Sequence, residues 1–164
     1  MLATEEKIEE ISEEKTEEIA DKMPTLNHSY ICSQIMRQLL PNEQIEVLPE
    51  LTLAIGNGLT PDISIYPKEQ IKPDFWNDII RFEQPPLVAI EVVSPSQNIQ
   101  DLLEKARLLT NSGAKTVWTI EPFSHSIWVT TEKETRLFHN TIIESEGIKV
   151  DFQKIFGSDV SLPA

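Results

Sequence analysis

Apolar positions along the chain follow two different spacings, which predict helices and strands respectively. In residues 26–41 and 98–113 they recur at three- and four-residue intervals, the pattern of a helix with one apolar face. Asn27 or Ser29 is a candidate cap for the first helix, and Asn98 or Ser96 for the second. Short, largely apolar runs predict strands at residues 45–55, 59–67, 87–93 and 114–122.

The connections between these elements predict how the strands pair. The "GNG" of residues 56–58 predicts a hairpin that joins the first two strands. The almost unbroken apolar run at 87–93 indicates a central strand that is covered on both faces. With the following helix and strand it predicts a β-α-β unit with parallel strands. Residues 126–131 and 134–140 predict a further hairpin toward the C-terminus, and the whole order predicts an α/β domain with a mixed sheet.

The acidic residues are concentrated at the N-terminus. Residues 1–23 carry nine acids and three lysines, a net charge of −6, among widely spaced isoleucines. The most economical interpretation is a solvated helical tail, and the alternative is a helix that docks on a partner subunit. Residues 24–164 are then expected to form one domain, since the length of 164 residues suits a single core.

Composition favours a cytoplasmic protein. No apolar stretch is long enough to cross a bilayer, and the N-terminus lacks the basic and apolar regions of a secretory signal. Cys32 is the single cysteine, so no internal disulfide can form, and its place on the apolar face of the first helix predicts burial. The net charge of −13 argues against a generic nucleic-acid binder, because phosphates repel an acidic surface.

Two carboxylates stand in segments that otherwise indicate buried sheet. Asp62 lies in "TPDISIYP", where it shares a strand face with Ser64, and Glu91 lies in "PLVAIEVVSPS", where it shares a face with Ala89. Buried acids need a cation, which can be arginine, lysine or a metal ion. Two acids on neighbouring strands offer the oxygen ligands that Mg²⁺ or Mn²⁺ prefers. The alternatives are a local cap at Asp62 and a structural salt bridge at Glu91.

These residues, in this order, resemble a known family. "TPD", then "IEVVSPS", then "DLLEKARLLTNSGAKTVWTIEP" is similar to the PD-(D/E)XK nuclease superfamily. More narrowly, it resembles the Uma family of restriction-endonuclease-like proteins, which is abundant in cyanobacteria and was formerly a domain of unknown function. The resemblance covers about residues 26–140. It implies a restriction-endonuclease-like αβββαβ core, a mixed central sheet with flanking helices, and an additional C-terminal β-hairpin.

The resemblance also implies which residues would form an active site. Asp62 and Glu91 would be catalytic and would bind Mg²⁺, or Mn²⁺ in its place. The main-chain carbonyl of Val92 would be a further ligand. The superfamily lysine normally stands two residues after the second acid, where this chain has Val93. The resemblance to the Uma family implies that this lysine has moved onto the following helix, which indicates Lys105.

Three further residues are secondary candidates. Asp101 could orient Lys105, although the residues alone favour an exposed pair of these two side chains on one helix. Glu50 is expected in the strand that pairs with the strand of Asp62. His28 opens the first helix at a position where the family commonly has histidine, and an exposed capping histidine is the alternative.

Two functions follow from this pattern. The first is a Mg²⁺-dependent endonuclease that hydrolyses DNA through a metal-activated water, and the resemblance adds the expectation of a homodimer. The second is a catalytically inactive nuclease-like fold that serves as a binding or assembly module. The acidic body, the missing strand lysine and the acidic tail favour the second function.

Overall fold

The computed structural model describes residues 24–158, and the predicted acidic tail of residues 1–23 lies outside them. Helices, strands and one 3-10 turn follow one another in this part of the chain. In order they are α1 (Leu26–Leu39), β1 (Ile45–Pro49), β2 (Ile63–Pro67), the 3-10 turn (Lys68–Gln70), β3 (Val88–Val92), α2 (Ile99–Asn111), β4 (Thr116–Glu121), β5 (Ser126–Thr130), β6 (Thr135–His139), β7 (Ile142–Ser145), β8 (Ile148–Asp151) and α3 (Gln153–Phe156).

The main sheet has six strands in the order β1-β2-β3-β4-β5-β6. Strands β3 and β4 are parallel, and every other neighbouring pair is antiparallel. This arrangement confirms the predicted αβββαβ core and the mixed sheet. The hairpin predicted at residues 126–140 is β5-β6, which extends the main sheet. The separate hairpin β7-β8 follows it, in a segment whose secondary structure was not predicted.

The first hairpin differs from its prediction in length. Strand β1 ends at Pro49 rather than at residue 55, because the next residue, Glu50, takes a left-handed conformation with φ 51° that extended strand residues do not adopt. The "GNG" turn is present, but it closes only an isolated bridge between Leu53 and Leu59. Residues 50–62 therefore form a long connection, and it ends beside the start of β2.

The two longer helices cover opposite faces of the sheet. Helix α1 buries Ile31, Ile35 and Leu39 in one apolar cluster, together with side chains of β2, β3 and β4. Helix α2 contributes Ala106 and Leu109 to a second cluster on the other face. All five residues of β3 are buried, as its apolar run predicts for a central strand covered on both sides.

The helix caps agree only in part with the prediction. The side chain of Asn98 caps α2 and accepts a hydrogen bond from the N–H of Gln100 at 2.8 Å, as predicted. For α1 the prediction of Asn27 or Ser29 was wrong. The cap is Thr25, whose hydroxyl accepts from the N–H of His28, so α1 begins before either candidate.

None of the helices described between residues 24 and 158 combines the length and apolar character that a bilayer span requires.

Replacing Gly113 by alanine should destabilise the protein more than the same change at Gly147. Both glycines have positive φ, 114° and 76°, where an L-residue costs about 1–2 kcal/mol. A Cβ at Gly113 would also lie 2.8 Å from Cγ of Pro85, whereas a Cβ at Gly147 meets nothing within 4 Å. Urea unfolding of the two variants measures the difference, and equal losses of unfolding free energy would contradict it.

Candidate active site

The candidate site lies at one end of the main sheet, where three chain segments meet. The C-terminal ends of β1 and β3 lie beside the N-terminal end of β2, because β2 is antiparallel to both. Glu50 directly follows β1, Asp62 directly precedes β2, and Glu91 is the penultimate residue of β3. The topology therefore brings three acids that are distant in sequence to the same edge of the sheet.

Main-chain groups on both neighbouring strands hold Asp62. Its carboxylate Oδ2 accepts a hydrogen bond from the N–H of Val92 at 2.7 Å, and its carbonyl accepts from the N–H of Glu50 at 3.1 Å. The register pairs Ile63 with Ile90, so its continuation by one residue sets Asp62 opposite Glu91. This register places the side chains of Asp62 and Glu91 on the same side of the sheet. Asp62 itself lies one residue outside the strand.

Glu91 is a buried acid that is paired with a lysine. It is 4% exposed, and its Oε1 lies 2.5 Å from Nζ of Lys105 in α2. This contact is a buried ion pair that links α2 to β3. The predicted pair between Asp101 and Lys105 does not form. Asp101 is exposed and is not one of the residues that line the cleft beside Glu91.

Burial dominates the protonation of Glu91. Removal from water raises its pKa from 4.5 to about 8, Lys105 opposes this increase, and the nearby charge of Asp62 adds to it. The positive charge of Lys105 therefore does not fully offset the combined effect of burial and of the neighbouring Asp62 on the pKa of Glu91. Additional positive charge at this place would stabilise the ionised form of Glu91.

His28 contacts Asp62 from the opposite side. Its Nε2 lies 3.0 Å from Oδ2 of Asp62, and its side chain is 12% exposed, so the alternative of an exposed capping histidine does not describe it. The hydrogen bond to Asp62 raises the pKa of His28, and the charges of Glu91 and Glu50 act in the same direction against the effect of burial. The protonated imidazole is thus favoured beside these acids.

Two buried hydroxyls lie on the sheet near Glu91. Thr119 is the register partner of Glu91 on β4, and Ser64 is the register partner of Ala89 on β2. Neither hydroxyl oxygen has a hydrogen-bond partner among the residues that the structure describes. Both residues are fully buried, and a buried hydroxyl without a hydrogen-bond partner costs free energy.

The acids open onto a cleft of about 730 Å³. His28, Glu50, Asp62, Glu91 and Lys105 all line it, so the cleft contains five of the residues that the sequence singled out. Val92 reaches the site through its N–H. Sequence reasoning missed other lining residues, which include Ser94 and Gln97.

The missed polar residues carry little signal in the sequence. Ser94 and Gln97 belong to the "SPSQ" loop after β3, where the N–H of Ser94 donates to the side chain of Gln97. Such residues are ordinary in turns, so their types alone do not indicate a site. The sequence did not indicate the unpaired hydroxyl of Thr119 either, because threonine is common in strands.

Comparison with solved structures finds a protein with a similar fold. The structure is similar to the crystal structure of a protein described as a "putative nuclease belonging to DUF820" from Anabaena variabilis, with a TM-score of 0.69 over 83% of each chain. The identity of 22% means that this likeness concerns the fold alone. No curated protein matches the sequence significantly.

The sequence itself establishes the family. Residues 2–162 match the Uma2 family, which is described as "Putative restriction endonuclease". The chain therefore belongs to the Uma2 family, and the resemblance drawn from "TPD", "IEVVSPS" and the following helix is confirmed.

Replacing Glu91 by glutamine should weaken the pH dependence of stability in the metal-free protein. A carboxyl whose pKa rises from 4.5 to about 8 on folding stabilises the fold fully below pH 4.5, and this contribution is lost as the pH rises toward 8. The raised pKa of His28 acts in the same direction above its ordinary value of 6.5. The wild-type melting temperature should thus fall over this range, and that of the variant should fall less.

The matched control is Glu104→Gln, which neutralises an exposed acid in the same helix as Lys105. It corrects for the general effect of removing one negative charge from an acidic protein. Melting curves are recorded in chelator at each pH. If Glu91→Gln and Glu104→Gln have the same slope, the raised pKa of Glu91 is not a source of the pH dependence.

Proposed function

We propose that this protein is a Mg²⁺-dependent endonuclease that hydrolyses phosphodiester bonds of DNA. The observation that carries the proposal is the convergence of Asp62 and Glu91 in one cleft, with the ammonium of Lys105 at the second acid. Membership of the Uma2 family supports the same reaction class. The metal, the substrate and the reaction itself are all part of the proposal.

The residues at the site fit a hard divalent cation. Two carboxylates and a main-chain carbonyl supply oxygen ligands, which Mg²⁺ and Mn²⁺ prefer. Glu91 is also an acid whose burial disfavours its charge, and a bound cation would offset that effect. We therefore assign Asp62, Glu91 and the carbonyl of Val92 as the metal ligands. When bound, the ion would activate a water molecule and offset negative charge on the phosphate.

The other residues of the cleft would orient the reactants. Lys105 reaches Glu91 from α2, so a small rotation of its flexible side chain would direct the ammonium toward a phosphate oxygen or the attacking water. His28 and the N–H of Val92 hold Asp62 in place. Glu50 lines the same cleft and would add negative charge for a second cation. Asp101 has no role in this proposal because it lies outside the cleft.

The negative net charge of residues 24–164 limits how DNA would bind. Residues 24–164 carry 18 acids and 11 bases, so tight nonspecific binding of a duplex is not expected. Bound divalent ions would reverse the field locally and let a phosphate approach the acids. Specific contacts would then have to come from elsewhere on the surface. A homodimer and a cytoplasmic location remain predictions from the sequence.

A second function is favoured by the ion pair of Glu91 with Lys105. This lysine already gives the buried acid a positive partner, so the fold does not require a metal at this place. A nuclease-like scaffold without activity, which serves as a binding or assembly module, would keep the same pair for stability. The two functions differ in whether divalent ions bind, which can be measured without any substrate.

Mn²⁺ should raise the melting temperature of the wild-type protein and leave that of the double variant Asp62→Ala/Glu91→Ala unchanged. Binding to the native state stabilises it by about 2.7 kcal/mol when the ion concentration is 100 times its dissociation constant. Thermal unfolding is recorded with and without Mn²⁺. NaCl at the same ionic strength controls for general screening of the acidic surface. Identical curves for wild type and double variant would favour the inactive module.

Cleavage of supercoiled plasmid in Mg²⁺ or Mn²⁺ should fall at least about 100-fold in Lys105→Ala, the scale of loss when one charge-stabilising donor is removed. Asp62→Asn and Glu91→Gln should abolish cleavage, because the ligand charge is lost. The matched control is Lys115→Ala, which removes an exposed lysine just before β4, away from the cleft. Wild-type protein that leaves the plasmid intact in both metals would refute the proposed activity.

A further inference from the structure

A second group of ligand-type side chains adjoins the candidate active site on its α1 side. His28 and Cys32 are four residues apart in α1, so their side chains project from the same helix face. With Asp62 they form a group in which one ligand atom from each residue lies within 4.8 Å of the others. The pattern of the helix predicts only that Cys32 is buried, whereas the structure leaves it partly exposed.

These three residues differ chemically from the carboxylate pair. An imidazole, a thiol and a carboxylate are the ligands of zinc and related transition metals, whereas Mg²⁺ prefers oxygen alone. We propose that His28, Cys32 and Asp62 bind one Zn²⁺-type ion, at a site distinct from that of the carboxylate pair. The side chain of Asp62 belongs to both sites.

The observed distances suit such an ion. Ligands that surround a tetrahedral zinc at about 2.0–2.3 Å are separated from one another by roughly 3.3–3.8 Å. Nε2 of His28 and Oδ2 of Asp62 already lie 3.0 Å apart, and one ligand atom from each of the three residues lies within 4.8 Å of the other two. A modest side-chain movement would therefore bring all three atoms to bonding distance. The ion would replace the hydrogen bond between His28 and Asp62.

An open groove gives access to the cluster. The groove has a volume of about 810 Å³, runs along α1, and is lined by His28, Cys32 and Asp62 together with Ser33 and Met36. Three protein ligands and an open side are the arrangement in which zinc keeps a water as its fourth ligand. No rearrangement of the backbone is needed for an ion to enter.

The acidic surroundings of the cluster have two opposing effects on metal binding. Burial, with smaller contributions from Asp62, Glu91 and Glu50, raises the pKa of the Cys32 thiol to about 12. Binding must therefore release the thiol proton to solvent, which lowers the affinity at low pH. The same acids attract a dication and stabilise it once it is bound. The cluster thus resembles a site that is protonated without metal and forms a thiolate only on metal binding.

If the protein is the proposed nuclease, the zinc-type site has a consequence for Mg²⁺ binding, and this consequence rests on the proposed function. An ion held by His28 and Cys32 would take Asp62 away from the Mg²⁺ site, so zinc-type ions would compete with Mn²⁺ for the protein. The binding of the zinc-type ion itself does not depend on nuclease activity. The two proposals can therefore fail separately.

Titration of the reduced, metal-free full-length protein with Co²⁺ tests the site. Thiolate bound to Co²⁺ gives a near-ultraviolet sulfur-to-metal charge-transfer band, and Cys32 is the only cysteine in the 164 residues. The band therefore reports on one position, even if acidic residues elsewhere bind Co²⁺ weakly. We expect one Co²⁺ per chain and loss of the band when Zn²⁺ is added. A band that saturates at half an ion per chain would overturn the site within one chain.

Variants separate the three ligands from their surroundings. Cys32→Ser should abolish the band, and His28→Ala or Asp62→Asn should weaken Co²⁺ binding at least about tenfold, since loss of even an outer partner of a metal site costs 10–100-fold. Ser33→Ala, on the same helix, and Glu91→Gln, in the carboxylate pair, should keep the band. Circular dichroism and thermal unfolding without metal verify that each variant is folded.

The outcomes distinguish the proposals. Absence of the band in folded wild-type protein, or full affinity in folded His28→Ala, overturns the zinc-type site while plasmid cleavage in Mg²⁺ still supports the nuclease. Presence of the band without plasmid cleavage supports the zinc-type site and refutes the nuclease. Zn²⁺ that lowers the apparent Mn²⁺ affinity in wild type, but not in Cys32→Ser, supports the sharing of Asp62.

Discussion

The buried carboxylate of Glu91 is the constraint on which the site depends. A charged acid in the most buried strand of the sheet is destabilising unless positive charge reaches it. Helix α2 supplies Lys105 from one face, and helix α1 supplies His28 to the adjoining acid from the other. The positions of both helices are thus tied to the charge balance of one strand, as well as to the apolar clusters that they cover.

Much of the fold could be predicted from the spacing of apolar residues along the sequence. The apolar run that became β3 and the two amphipathic helices were predicted because burial on both faces, or on one, leaves a clear periodic pattern. The end of β1 was not predicted, because the apolar pattern continues past Pro49 while the backbone leaves the ladder there. The Thr25 cap was missed for a similar reason, since several polar residues near a helix start satisfy the same preference.

The site was predictable where the residue type conflicts with its surroundings. Asp62 and Glu91 stood out as acids among apolar residues, and the structure sets them opposite each other across two strands. Lys105 could be separated from an ordinary surface lysine only through the family resemblance, because its partner is 14 residues away and on another element. Cys32 and Thr119 gave no such conflict. Their relation to the site depends on packing between elements, which one sequence does not encode in a local pattern.

The anchoring of Asp62 by a main-chain amide has a consequence for sequence variation. Every amino acid except proline offers an N–H at position 92, so the side chain there can change, as far as the β3 packing allows, without moving the acid. Amino-acid substitutions in β3 therefore leave the position of Asp62 unchanged as long as the N–H of residue 92 is kept. Homologous proteins with different core residues can keep the same acid geometry, provided that the two strands stay in register.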